Sequence, residues 1–265
     1  MLCNKPYSGT KVIADYGQEH IQTGALIIYT SADSVLQIAA HEDFVPLKEL
    51  YKICEAVRAV TDVGRVIARP FRGNYPNFER TAYRHDFSLK PSKMTMLDYL
   101  KIYHYETLSV GKIVDIFASQ GISESFRTTS NEEGIEETIK LLKRDFNGLC
   151  FVNLVDFDMK YGHRNDVDGY AKVMTYFDTK LPEMISKLKD NDILIITADH
   201  GCDPSTVSTD HSREYIPILI CGNSVKKNVN LGTLDTFAGL SKTVLDYFNI
   251  ENDIPAISFL SKILE

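Results

Sequence analysis

What this 265-residue sequence lacks narrows its class before any motif is read. No apolar run approaches the roughly 20 residues that cross a bilayer as a helix. The opening MLCNKPYSGT carries no signal-peptide core. A membrane partner is therefore not expected. Cysteine is sparse: Cys3, Cys54, Cys150, Cys202 and Cys221 are odd in number and form no CxxC pair. That argues against a disulfide framework and fits free thiols in a reducing cytoplasm, the expected location. Positive charge is in deficit, 29 Lys and Arg against 36 Asp and Glu, giving a net charge of −7. Nucleic acid is thus excluded as the main partner. Internal repeats and low-complexity linkers are absent too. What remains is an ordinary globular composition, 44% hydrophobic and 25% charged, long enough for one large or two small domains.

Two stretches organise the chain. Phe151–His163 reads FVNLVDFDMKYGH, and Ile193–His211 reads ILIITADHGCDPSTVSTDH. Each begins with an apolar run, predicted to be a buried strand of a parallel sheet, and breaks into Asp, His and Gly at its carboxyl end. Ligands bind at that edge of open α/β sheets. Together the stretches offer Asp156, Asp158, His163, Asp199, His200, Asp203, Asp210 and His211. Carboxylates with neutral imidazoles suit Mn²⁺, Zn²⁺ or Mg²⁺. One Asp-His pair alone would be an ordinary loop contact; two such stretches at strand ends point to a two-metal site. Cys202 adjoins the site and reads as a small buried side chain rather than a nucleophile.

VNLVDFDMKYGHRNDVDGY followed by LIITADHGCDPSTVSTDHSREYIPILICG closely resembles the phosphopentomutases, members of the alkaline phosphatase superfamily of metalloenzymes. The resemblance runs from NKPYSGT to the last helix. It implies a dimanganese isomerase that interconverts ribose 1-phosphate, or deoxyribose 1-phosphate, with the 5-phosphate. Carried over residue by residue, Asp158, His163 and His211 resemble the ligands of one Mn²⁺, and Asp199 and His200 ligands of another. By sequence alone Asp156 is easily confused with Asp158, which the resemblance favours.

The resemblance also implies a substrate-binding cap over residues 1–90 and the C-terminal part of a metal-binding core over residues 91–265. Between Arg65 and Arg84 five arginines face one acid, Glu79, and arginine holds phosphate dianions in bidentate fashion. VGRVIARPF and NFERT resemble cap motifs that hold the sugar phosphate, pointing to Arg65 and Arg80, with Asp33 from TSADS. Lys112, in SVGKIVDIF, matches a substrate-contacting lysine. In YRHDFSLKP, which resembles the hinge out of the cap, His85 and Asp86 are expected to be structural.

Periodicity sets the expected elements. A strand is predicted at Ala25–Thr30, a helix from Pro46 to Val60 and a strand at Gly64–Ala68. Beyond Pro91 the pattern alternates: helix Thr95–Tyr103, strand Glu106–Val110, helix Glu132–Phe146, strand Leu149–Val155. A long amphipathic helix follows, with Tyr170, Val173, Met174, Phe177, Leu181, Met184, Ile185 and Leu188 on its apolar face. Pro182 should kink it or lie near a break. Strands Ile193–Thr197 and Ile216–Cys221 and helix Leu234–Phe248 complete the series. The fold class is α/β: an alkaline phosphatase-like doubly wound sheet with an incomplete core, and an α+β cap.

The incompleteness follows from the resemblance. The family's phosphorylated threonine and one metal-binding Asp lie in a segment marked by DSFGIG and GHWE, and neither string occurs here. Thr128, Thr129, Thr206 and Thr209 have no matching context, so no catalytic nucleophile is assigned. One metal position is expected complete and the other half built, with activity of residues 1–265 alone weak or absent. A separate N-terminal fragment is a conceivable partner. A related metal-dependent phosphatase and a non-catalytic metal- or sugar-phosphate-binding protein are the competing readings.

Overall fold

A computed structural model of the chain describes residues 1–30 and 35–264. It resolves into two compact units, one of Met1–Lys90 with Asp115–Ala118, the other of Pro91–Val114 with Ser119–Glu265.

The first unit is built on six strands: β1 (Leu2–Pro6), β2 (Ile27–Thr30), β3 (Val35–His41), β4 (Arg65–Asn74), β5 (Asn77–Arg80) and β6 (His85–Ser88). They form one mixed sheet in the order β1-β2-β3-β4-β5, with β6 also on β4. Side chains alternate across a strand, so the sheet has two different faces. One carries Ile38, Ala40, Val66 and Ala68 against Leu50 and Cys54 of α2 (Leu47–Ala59). The other carries Ile27, Tyr29, Ala39 and Phe71 against Val12 and Ile13 of α1 (Gly9–Thr23). Helix α2 starts behind Pro46 as expected.

Helix α1 and strand β3 are elements that the sequence reading missed. The buried positions of α1 are Val12, Ile13, Gly17 and His20. Only two are large and apolar, so the helical period is faint. His20 is fully buried. Its Nδ1–H donates to the Ala25 carbonyl (2.8 Å), and its Nε2 accepts the His41 amide (2.9 Å). Burial lowers its pKa; the Ala25 carbonyl acts in the opposite sense, and His41 adds to the lowering. A histidine neutral when folded, but protonated when unfolded below about pH 6.5, makes stability fall with acid. The His20 contribution should be complete above that value and be lost as pH falls toward the folded pKa. Urea titrations at stepped pH should show this slope, and His20→Gln should flatten it whatever its effect at neutral pH. An unchanged slope would remove His20 from the account.

In the second unit, α3 (Met96–Ile102) begins with a capping box between Thr95 and Asp98. In chain order come β7 (Glu106–Val110), α4 (Ile113–Ile116, whose last two residues are counted with the first unit), β8 (Glu124–Phe126), α5 (Asn131–Leu141), β9 (Gly148–Val152), α6 (Val167–Ile185), β10 (Leu194–Thr197), β11 (Ile218–Cys221), α7 (Ala238–Tyr247) and α8 (Leu260–Ile263). β8, β7 and β9 form a parallel sheet with β7 central. The class is α/β as expected, but β10 departs from the parallel expectation by pairing with β11 antiparallel. Both β9 and β10 are half-buried rather than buried. Among the described residues each is laddered along one edge only.

Helix α6 ends three residues beyond Pro182, in keeping with a proline near a break. Its expected apolar row is only partly covered. Met184 packs with Ile135 and Ile139 of α5, whereas Met174 and Ile185 are exposed. No described helix is long and apolar enough to cross a membrane.

Candidate metal centre

Beyond β9 the backbone takes an uncommon course. Phe157–Tyr161 is a π-helical turn and Gly162–Arg164 a 3-10 turn. Asp158 and His163 are five residues apart, which in an α-helix of 3.6 residues per turn would set them about 140° apart. Here the π turn carries Asp158 and hands over at once to the 3-10 turn that carries His163, a tighter path back than a continuous α-helix would give. The result is Asp158 Oδ1 lying 3.0 Å from His163 Nε2.

The second stretch closes on itself. Gly201 and Ser212 form a β-bridge in which the Ser212 amide donates to the Gly201 carbonyl at 2.9 Å. That clip makes neighbours of His200 and His211, whose rings stack with centroids 3.7 Å apart. His211 Nε2 reaches Asp158 Oδ1 at 3.2 Å, and the His163 and His211 rings are 4.8 Å apart. A single carboxylate oxygen therefore faces two imidazole nitrogens, with a third ring behind them.

Hydrogen bonds set the tautomers. His163 Nδ1–H donates to the Thr209 carbonyl at 2.6 Å and His200 Nδ1–H to the Gly201 carbonyl at 3.1 Å. Each leaves Nε2 as the lone-pair nitrogen, which is the orientation a metal-ligating histidine needs. Asn165, in the left-handed region with φ 53°, extends its Nδ2 to the carbonyls of Pro204 (3.4 Å), Thr206 and Ser208 (3.2 Å). It pins the second stretch to the first. The sequence reading did not find it, although asparagine is among the few residues that visit that conformation routinely.

The remaining candidates divide. Asp199 is exposed and touches only the edge of the cluster, 3.6 Å from His200 Nε2. Asp156 is buried away from it: Asp156 Oδ2 accepts the Asn131 amide (2.8 Å), and Asn131 Oδ1 accepts the Asp156 amide (2.7 Å). Asp203 caps a turn through Ser205, and those bonds lower its pKa. Cys202 is half-buried. Burial, then the nearby Asp158 carboxylate, raise its thiol pKa.

The donors fit a divalent cation. One ligand atom each from Asp158, His200 and His211 fall within 4.8 Å of one another, and so do those of Asp158, His163 and Cys202. Carboxylate oxygen and imidazole nitrogen together suit first-row divalent ions.

Comparison with known proteins agrees with this chemistry. A model of the metalloenzyme superfamily matches residues 28–252. The chain is 60% identical to the phosphopentomutase of Lachnoclostridium phytofermentans, over all of this chain and 69% of that one. The phosphopentomutases of Carboxydothermus hydrogenoformans (55%) and Caldanaerobacter subterraneus (54%) match 96% and 99% of this chain, and 66% and 68% of their own length. The chain belongs to the phosphopentomutase family. It spans about two thirds of the length of these relatives, and membership of a metalloenzyme superfamily implies a metal cofactor.

The residues that the phosphopentomutase resemblance assigned to substrate are placed as follows. Asp33 lies outside the described residues. Arg65 opens β4, 3.7 Å from Asp86, which also holds Arg84 in a bidentate pair. His85 packs on Phe87 and Tyr51. Arg80 ends β5 and donates from Nη2 to the Tyr29 hydroxyl at 3.3 Å. It lies so close to the start of α1 that a Cβ on Gly9 would meet Nη2 at 1.4 Å. Arg69, not singled out by sequence, is half-buried on the same side of β4 as Arg65 and donates Nε–H to Gln37 Oε1 at 2.8 Å. In the second unit Lys112 follows β7 and reaches Met159 Sδ at 2.7 Å, next in sequence to Asp158.

Proposed function

We propose that this chain carries the metal-binding and sugar-phosphate-binding residues of a phosphopentomutase, interconverting (deoxy)ribose 1-phosphate and (deoxy)ribose 5-phosphate by phosphoryl transfer. Asp158, His163 and His211 hold one Mn²⁺, while Asp199 and His200 contribute to a second position. The observation that carries this reading is Asp158 Oδ1, 3.0 Å from His163 Nε2 and 3.2 Å from His211 Nε2, in a chain of this family. Paired divalent ions supply charge neutralisation to a transferring phosphoryl group and hold its oxygens in line.

The chain's own residues do the rest. Arg65, Arg80 and Lys112 bind the phosphate dianion, and Asp33 accepts from a sugar hydroxyl. Arginine suits this because its planar donors match phosphate oxygens in pairs. The carbonyls of Thr209 and Gly201 keep Nδ1–H of His163 and His200 engaged, so Nε2 stays a ligand. Asn165 holds the loop that presents them.

Calorimetry with ribose 5-phosphate, run with Mn²⁺ present, tests the substrate assignment. A charge-assisted hydrogen bond is worth about 1.5–3 kcal/mol, so Arg80→Ala should weaken binding by about tenfold or more. Unchanged affinity in Arg80→Ala and Lys112→Ala would return both to solvated surface. Release of inorganic phosphate from ribose 1-phosphate, without formation of the 5-phosphate, would instead favour a phosphatase.

A further inference from the structure

The sulfur of Cys202 has no role in the ligand set above, yet it sits inside the cluster. It lies 4.0 Å from His163 Nδ1. It packs directly over Gly162, where a Cβ would meet Sγ at 2.5 Å. Glycine at 162 is what lets the second stretch bring a thiol this near the turn bearing Asp158 and His163. The two groups of converging donors differ in kind. Asp158, His200 and His211 offer oxygen and two nitrogens; Asp158, His163 and Cys202 offer oxygen, nitrogen and sulfur. Thiolate donors favour softer ions such as Zn²⁺, whereas Mn²⁺ prefers oxygen.

We propose that Cys202 is a metal ligand, forming with Asp158 and His163 a thiolate-containing position that takes a thiophilic divalent cation such as Zn²⁺. The inference rests on the reading of Asp158 and His163 as metal ligands. His163 binds there through Nε2, since Nδ1–H is held by the Thr209 carbonyl. As the metal–sulfur bond forms, the S–H bond breaks and its proton passes to solvent; no electron changes hands. Because Asp158 and His163 also belong to the Mn²⁺ set, zinc at this position competes with manganese for the same donors. Zinc is then an antagonist of the manganese-loaded state, and Cys202 is the residue that sets the preference between the two ions.

The test uses Co²⁺ as a spectroscopic probe on the 265-residue chain. Parent protein should show visible d–d bands together with a near-ultraviolet sulfur-to-cobalt charge-transfer band. Cys202→Ser should keep the former and lose the latter. Its Zn²⁺ affinity should fall by about tenfold or more, at least the loss that outer-shell changes produce, while Mn²⁺ affinity stays nearly constant. Visible bands without the sulfur band in the parent would overturn the proposal and leave the metal centre standing. A sulfur band that survives Cys202→Ser would assign it to another cysteine and also overturn it. Absence of any cobalt spectrum would remove the metal centre itself. A measurement on the unaltered chain avoids dependence on the folding of a variant. Zn²⁺, but not Mn²⁺, should protect Cys202 from alkylation as read by peptide mapping, and an unprotected Cys202 counts against the proposal.

Discussion

Asp158→Ala is expected to lose Mn²⁺ binding from the chain with little change in folding stability. The carboxylate is the only group within about one hydrogen-bond length of two imidazole nitrogens, His163 Nε2 and His211 Nε2, among the described residues. Without it His163 and His211 lose the carboxylate that faces both of them, and with it the anionic charge that would offset a divalent ion there. Outer-shell substitutions already cost about 10–100-fold in metal affinity, and removal of a direct ligand should exceed that. His163→Ala and His211→Ala should each weaken binding markedly but less completely. Affinity should also fall in acid, because protonated imidazole cannot ligate. Stability should hold because Asp158 is about one-third exposed and supports no core contact. Calorimetric titration with Mn²⁺, beside urea denaturation, reads both quantities. Unaltered Mn²⁺ affinity in Asp158→Ala would end the assignment of this centre.

Asp156→Ala should do the reverse, costing about 3 kcal/mol of stability while sparing metal affinity in the folded protein. Asp156 is only 5% exposed. It exchanges two hydrogen bonds with Asn131, the first residue of α5, and Lys160 Nζ lies 3.0 Å from its other oxygen. This clamp ties the chain leaving β9 to the start of the helix behind it. Its removal leaves the Asn131 amide buried without its acceptor, and breaking a buried, charge-assisted arrangement from one side costs about this much. Asp156→Asn keeps one acceptor oxygen and should lose roughly half as much. The two aspartates, two positions apart, are thus separable by opposite phenotypes. A stable Asp156→Ala that had lost Mn²⁺ would show their roles to be exchanged.

The sequence by itself determined the chemistry of the centre. Strand-like apolar runs ending in Asp and His mark eight candidate ligands, and the resemblance to the phosphopentomutases narrows them to Asp158, His163, Asp199, His200 and His211. The α/β class, α2 behind Pro46 and the helix beginning at Thr95 are legible in the same way, each set by periodicity or by a local residue preference. Separation of Asp156 from Asp158 by role was not legible in composition, since both are carboxylates after one strand. Only packing shows that one is buried against Asn131 and the other faces His163.

Tertiary structure decided what local pattern cannot carry. The succession of π turn and 3-10 turn that brings Asp158 to His163 depends on the backbone path after β9, which residue types alone do not fix. The Gly201–Ser212 bridge and the reach of Asn165 to three carbonyls join positions 11 and some 40 residues apart. No periodicity reports such long-range closure. The antiparallel pairing of β10 with β11 is of the same kind, because an apolar run records burial and not the direction of its neighbour. Cys202 shows the limit most plainly. In sequence it is a small residue between Gly201 and Asp203; its meaning comes from Gly162, which has no side chain and so admits the sulfur to the space beside His163.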